Sequence, residues 1–107
     1  MISLASRQKR VGLHLPLAVS GRDAGGARFS DDTRTVNVSG GGLAFETERD
    51  IQMGSRLDLS IQLPPPLRRH FGGRAVYGVR AVVCRVERRQ GAAIARIGVR
   101  FLGEIAR

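Results

Sequence analysis

Apolar and polar residues alternate along most of this chain with a period of two, and no stretch sustains the 3.6-residue rhythm of a long amphipathic helix. Leu13, Leu15, Leu17 and Val19 fall on alternate positions between His14, Pro16 and Ala18, as a half-buried strand requires. Pro16 sits among the outward positions and suggests an edge or an unpaired site, because proline donates nothing to a ladder. Residues 21–26 form a turn region, and residues 29–38 resume an extended pattern in which Thr33, Thr35, Val36 and Val38 favour strand. A glycine turn at 40–42 leads into the short alternating strand Leu43-Ala44-Phe45-Glu46-Thr47. After a turn at Gly54, residues 57–63 alternate cleanly until Pro64-Pro65-Pro66 stops them.

Residues 67–73 read as a mobile loop. Residues 74–89 are a long extended segment with Ala75, Tyr77, Val79, Ala81 and Val83 on one parity. Val82, Cys84 and Val86 lie on the other, which predicts a mid-strand bulge or burial on both faces. Beyond Gln90-Gly91 the last strand, 93–101, puts Ala93, Ala95, Ile97, Val99 and Phe101 on one side and Arg96 and Arg100 on the other. Residues 102–107 leave room for a short terminal helix. Five to seven short strands separated by Gly/Pro turns predict an all-β antiparallel barrel or sandwich. Residues 1–12 form a basic N-terminal arm, and 13–107 a single β domain.

Charge adds a partner class. The net charge of +9 arises from 18 basic and 9 acidic residues, and every basic residue except Lys9 is arginine. Such a surface attracts phosphates and polyanions through its field without choosing among them. The single cysteine, Cys84, cannot form an intramolecular disulfide, and its apolar neighbours predict a small buried thiol. The apolar stretches are too short to span a bilayer and the basic N-terminus lacks a signal-peptide core, so no membrane insertion and a cytoplasmic location are expected.

The most informative chemistry lies at Asn37-Val38-Ser39-Gly40-Gly41-Gly42, about thirty residues after Arg7, Lys9 and Arg10. An amide, a hydroxyl and exposed glycine backbone can hydrogen-bond a flat ligand at close range, while arginines add stacking planes and positive charge. Taken alone, the same six residues also describe an ordinary hairpin turn. Elsewhere, His14 and His70 have no partner at metal-ligand spacing. Asp31-Asp32 reads as a solvated turn, and the clusters Arg68-Arg69-His70 and Arg85 with Arg88-Arg89 read as solubilising charge. No phosphate loop or nucleophile elbow is present, so the chain is not expected to be an enzyme.

The arginine lead-in, the run Thr35-Val36-Asn37-Val38-Ser39-Gly40-Gly41-Gly42-Leu43 and the ending Arg96-Ile97-Gly98-Val99-Arg100-Phe101 together resemble a PilZ domain, the bacterial receptor module for cyclic di-GMP. The resemblance runs from about Arg7 to Phe101 and implies a six-stranded antiparallel barrel. The family's Asp/Asn-x-Ser-x-x-Gly element is complete as Asn37, Ser39 and Gly42. Its Arg-x-x-x-Arg element is not: with Arg10 as the second arginine, the first position holds Ser6, and Arg7 stands one residue away. The resemblance implies that Arg10 and Arg7 clamp bases and phosphates, Asn37 bonds a guanine edge, Ser39 bonds a base or phosphate oxygen, and Gly42 lets the ligand approach. Arginine suits that task because its planar fork pairs with guanine O6/N7 and also stacks on a base. The implied function is a receptor or adaptor that changes its arm on binding and signals to an effector protein, as a monomer or a homodimer. Two alternatives are an adaptor of the same fold without the ligand, and a small basic nucleic-acid-binding barrel. The scarcity of aromatic residues (one Tyr, four Phe, no Trp) argues against the latter.

Overall fold

The computed structural model describes residues 12–105. Its strands are β1 (Pro16–Arg22), β2 (Arg28–Val38), β3 (Gly42–Thr47), β4 (Arg56–Gln62), β5 (Val76–Arg88) and β6 (Ala95–Glu104). All neighbours are antiparallel, and they close in the order β1-β2-β3-β6-β5-β4, with β1 also pairing β4. The period-two pattern becomes an interior and an exterior: Leu17, Val19, Leu43, Phe45, Leu57, Leu59, Ile61, Val79, Val83, Ile97 and Val99 fill the barrel. The expected six-stranded antiparallel barrel is the observed one. Pro16 is the first residue of β1, where the missing N–H costs little.

One end of the barrel is stoppered by the segment read as a mobile loop. Pro65–Arg68 form a single helical turn, α1, continued by a 3-10 turn at Arg69–Phe71. Proline suits the first turn of a helix, whose N–H groups lack intrahelical partners. Leu67 and Phe71 are buried in the core, with Phe71 4.9 Å from the Tyr77 ring between centroids. Gly72 and Gly73, both at positive φ, release the chain into β5. A helix this short shows no periodicity, so its two apolar anchors looked like isolated loop residues.

Three other expectations change. Leu102–Glu104 continue β6 instead of starting a helix, while 106–107 lie outside the described residues. Cys84 is exposed, not buried, because it is the extra residue of a bulge: Val83 pairs with Val99 and Arg85 with the adjacent Gly98. Asp31 lies on β2, not in a turn, and accepts two hydrogen bonds from the Arg49 guanidinium, one of them 2.8 Å from Nη2. Arg49 also sits 4.8 Å over the Phe29 ring, so this fork fixes the β3–β4 connection against β2.

The Arg49 hydrogen bonds hold the Asp31 carboxyl below its ordinary value, against an opposing effect of burial. A depressed acid stabilises the fold above its unfolded value, near 3.9, and that contribution fades as pH falls through the lower folded value. The effect is small, because both side chains remain partly in water. Asp31→Asn is therefore expected to melt slightly below the parent at neutral pH and with it in acid, which thermal melts across pH would show.

Candidate functional site

Strand β2 ends at Val38 and β3 begins at Gly42, so the Asn-x-Ser-x-x-Gly residues occupy one tight corner. Ser39 is buried and organises that corner. Its Oγ donates to Gly42 O at 3.2 Å and accepts from Gly42 N at 3.1 Å and Gly41 N at 3.3 Å. Its own N–H donates to Gly42 O at 2.8 Å. One donor and two acceptor positions are all a hydroxyl has, so Ser39 is fully engaged in holding the corner's backbone. The requirement for glycine at 42 also comes from within the wall. A Cβ there would lie 2.2 Å from the carbonyl oxygen of Val99, the neighbour on β6.

Thr35, which the sequence reading passed over as a strand former, joins this corner to the N-terminal segment. It is 1% exposed. Its Oγ1 accepts from Leu15 N at 2.9 Å and donates to Leu13 O, while its N–H donates to Leu15 O at 2.9 Å. His14 Nδ1 lies 3.1 Å from Thr35 O, and Arg34 Nη1 donates to His14 O at 3.3 Å. Residues 13–15 thus all bond to Thr35, the residue next to the Pro16↔Arg34 pair that ends the β1–β2 register.

Arg7 and Arg10 lie outside the described residues, but the root of their arm is fixed. Only Val11 and Gly12 separate Arg10 from Leu13 in the sequence, and Asn37 is about 7 Å further along β2 than Thr35. Thr35→Val keeps the shape and removes the hydroxyl that accepts Leu15 N–H. It is expected to cost about 1–3 kcal/mol of stability. By loosening the arm's root it should also weaken any ligand held by the arm about tenfold, read by calorimetry below the variant's melting temperature.

The outward positions beside the corner carry small residues, Gly42, Ala44 and Gly98, all of them buried. Leu43 and Phe45 point into the core, so Ala44 between them faces outwards. Register places Asn37, Ala44, Gly98 and Arg85 in one row across β2, β3, β6 and β5, about 14 Å from end to end. The next outward row runs Gly42, Arg100, Val82. Arg85 lies over Gly98: a Cβ at 98 would sit 3.3 Å from Arg85 Cβ and 3.7 Å from its Nε. Arg100 is exposed and makes no ion pair or hydrogen bond among the described residues. The two rows thus carry an amide at one end and, at the other, Arg100 and Arg85, the latter 3.6 Å from Glu87, groups that would suit an anionic, hydrogen-bonding ligand.

From sequence, Arg85 reads only as solubilising charge and Arg100 only as an outward residue of the last strand. Arg85 shares the parity of Val79, Ala81 and Val83, and only the Cys84 bulge turns it to the outside.

The PilZ domain family matches residues 6–106. The chain belongs to the PilZ family. No curated protein matches the sequence significantly. Among solved structures, the barrel resembles the Bacillus subtilis inhibitor of motility MotI/DgrA with a TM-score of 0.67 and 21% identity. The alignment covers 91% of this chain and 42% of the other, so the likeness is one of fold over less than half of that protein. PilZ domains are receptor and adaptor modules, and the match takes in Arg7, Arg10 and the whole Asn37–Gly42 corner of this PilZ chain. Among the described residues, no helix is long and apolar enough to cross a membrane.

Proposed function

We propose that this PilZ domain is a cyclic di-GMP receptor that closes its N-terminal arm over the ligand and presents the altered surface to an effector protein. The observation that supports this reading is the Thr35 clamp, which ties Leu13 and Leu15, the segment that follows Arg10 in sequence, to β2 two residues before Asn37. Asn37 pairs with a guanine edge. Arg10 stacks on a base or bridges the phosphates, and Arg85 and Arg100 supply charge from the opposite end of the rows. Ser39 and Gly42 act through the corner: one holds its backbone, the other lets β6 pass close behind it.

The Arg7/Arg10 spacing gives these two arginines unequal tasks. On an arm bound in extended form, a spacing of three would turn them to opposite sides, so that Arg10 clamps and Arg7 contributes mainly charge. The ligand can favour the closed arm only through contacts that the open arm lacks, and arginines that meet it only on closure provide them. Catalysis has no part in this scheme.

Calorimetric titration of the purified protein with cyclic di-GMP tests the reading. Saturable heat at micromolar ligand supports it. Absence of heat to high micromolar ligand would favour an adaptor working through protein contact alone, the reading to which Ser6 in place of the family's first arginine points.

A further inference from the structure

A second basic surface lies around the barrel from the corner, where the β1–β2 hairpin meets the beginning of β4. Arg22, Arg28, Arg56 and Arg80 line an open cleft of about 550 Å³. Arg80 is paired with Asp58 at 2.9 Å, and Arg22 Nη1 donates to Gly26 O at 2.9 Å. Arg28 and Arg56 make no hydrogen bond or ion pair among the described residues. The other acid in the cleft, Asp23, spends Oδ1 on the N–H groups of Gly25 and Ala27, which shapes the hairpin turn.

Two features mark this as more than a solvated charged face. Arg22 and Arg28 are direct register partners across the hairpin, an arrangement that repels and is destabilising by itself. A bound anion would offset that repulsion. The cleft also opens onto an outer floor of small residues: Ala18 pairs with Ser60, and Ser60 with Gly78. Ile105, bonded through its N–H to Gly78 O at 2.9 Å, lines that second hollow of about 400 Å³. Arginines at one end and a narrow, nearly side-chain-free trough at the other fit an extended segment with carboxylates followed by small or apolar residues.

We propose that the Arg28/Arg56 cleft and the Ala18–Ser60–Gly78 trough form a docking surface for an acidic segment of a partner protein. Asp23 and Asp58 among the arginines speak against a featureless polyanion, which would meet them as repulsion. A peptide can instead place its carboxylates against Arg28 and Arg56 alone. The surface shares no residue with the Asn37–Gly42 corner, so it can be occupied whether or not the corner holds a ligand.

The test uses a fluorescein-labelled peptide of alternating glutamate and alanine, titrated with the full chain and read by anisotropy. A single-stranded oligonucleotide and phosphatidylglycerol vesicles serve as competing anions. Saturable peptide binding is expected, weakened at least tenfold in Arg28→Glu/Arg56→Glu. Arg28→Glu alone should raise the melting temperature by replacing the Arg22–Arg28 repulsion with attraction, so loss of binding there cannot be assigned to unfolding. Cyclic di-GMP binding should be unchanged in both variants. No saturation at millimolar peptide, binding indifferent to the two substitutions, or preferential binding of oligonucleotide or vesicles through the same arginines would each overturn the proposal. None of these outcomes bears on the corner, whose ligand is measured separately.

Discussion

Arg10→Ala is expected to lower cyclic di-GMP affinity roughly 100-fold while leaving the melting temperature unchanged. A charge-assisted hydrogen bond to a desolvated ligand is worth about 1.5–3 kcal/mol, and a planar guanidinium makes two such bonds or one with stacking. One such contact corresponds to roughly 10- to 150-fold in affinity. Asn37→Ala removes the neutral guanine contact proposed for that amide and should cost about tenfold. Arg7→Ala should cost less than Arg10→Ala, because on an extended arm the three-residue spacing turns Arg7 away when Arg10 faces the ligand. That ranking is the informative part. Equal losses at both arginines would mean that the arm adopts some conformation other than an extended continuation of residues 13–15.

The second large effect is on stability. Gly42→Ala places a Cβ 2.2 Å from Val99 O, 3.2 Å from Val99 C and 3.4 Å from Arg100 Cα. All three are backbone atoms of a paired strand, and none can rotate aside. Relief requires β3 and β6 to part at the point where Gly41 O accepts from Phe101 N at 2.8 Å. We expect a loss of about 3 kcal/mol or more, a large share of the about 5–15 kcal/mol that holds a typical domain together. Urea denaturation measures it. Gly98→Ala is the contrasting case, since its Cβ would lie 3.3 Å from Arg85 Cβ and meet no backbone atom within 4 Å, a far milder contact. A Gly42→Ala variant that loses ligand binding therefore reports on the wall of the barrel, not on ligand contact at residue 42.

The strands were legible because a barrel wall with one wet face imposes a period of two, and Leu57–Leu63 shows it almost without interruption. The corner was legible for the same local reason: asparagine, serine and glycines between two alternating runs predict a hairpin wherever they occur. What escaped depends on contacts distant in sequence. Thr35 looks like any strand threonine until Leu13 and Leu15 are seen hydrogen-bonded to it from twenty or more residues away. Arg85 is assigned to the wrong face until the bulge at Cys84 is located. The Leu67/Phe71 stopper is too short to carry a period. Ser39 was read as a ligand contact, yet its hydroxyl is spent on the corner's own backbone, a role that sequence cannot separate from ligand binding.

A proton–nitrogen NMR titration of the full chain with cyclic di-GMP would show whether the arm and the corner grip one ligand. Saturable shifts should gather at Asn37, Ala44, Gly98 and Arg85 and at the arm root Leu13–Leu15, with little change along Ala18, Ser60 and Gly78 on the other side of the barrel. No saturable shift at high micromolar ligand, or shifts that avoid the Asn37 row and the arm root, would contradict it.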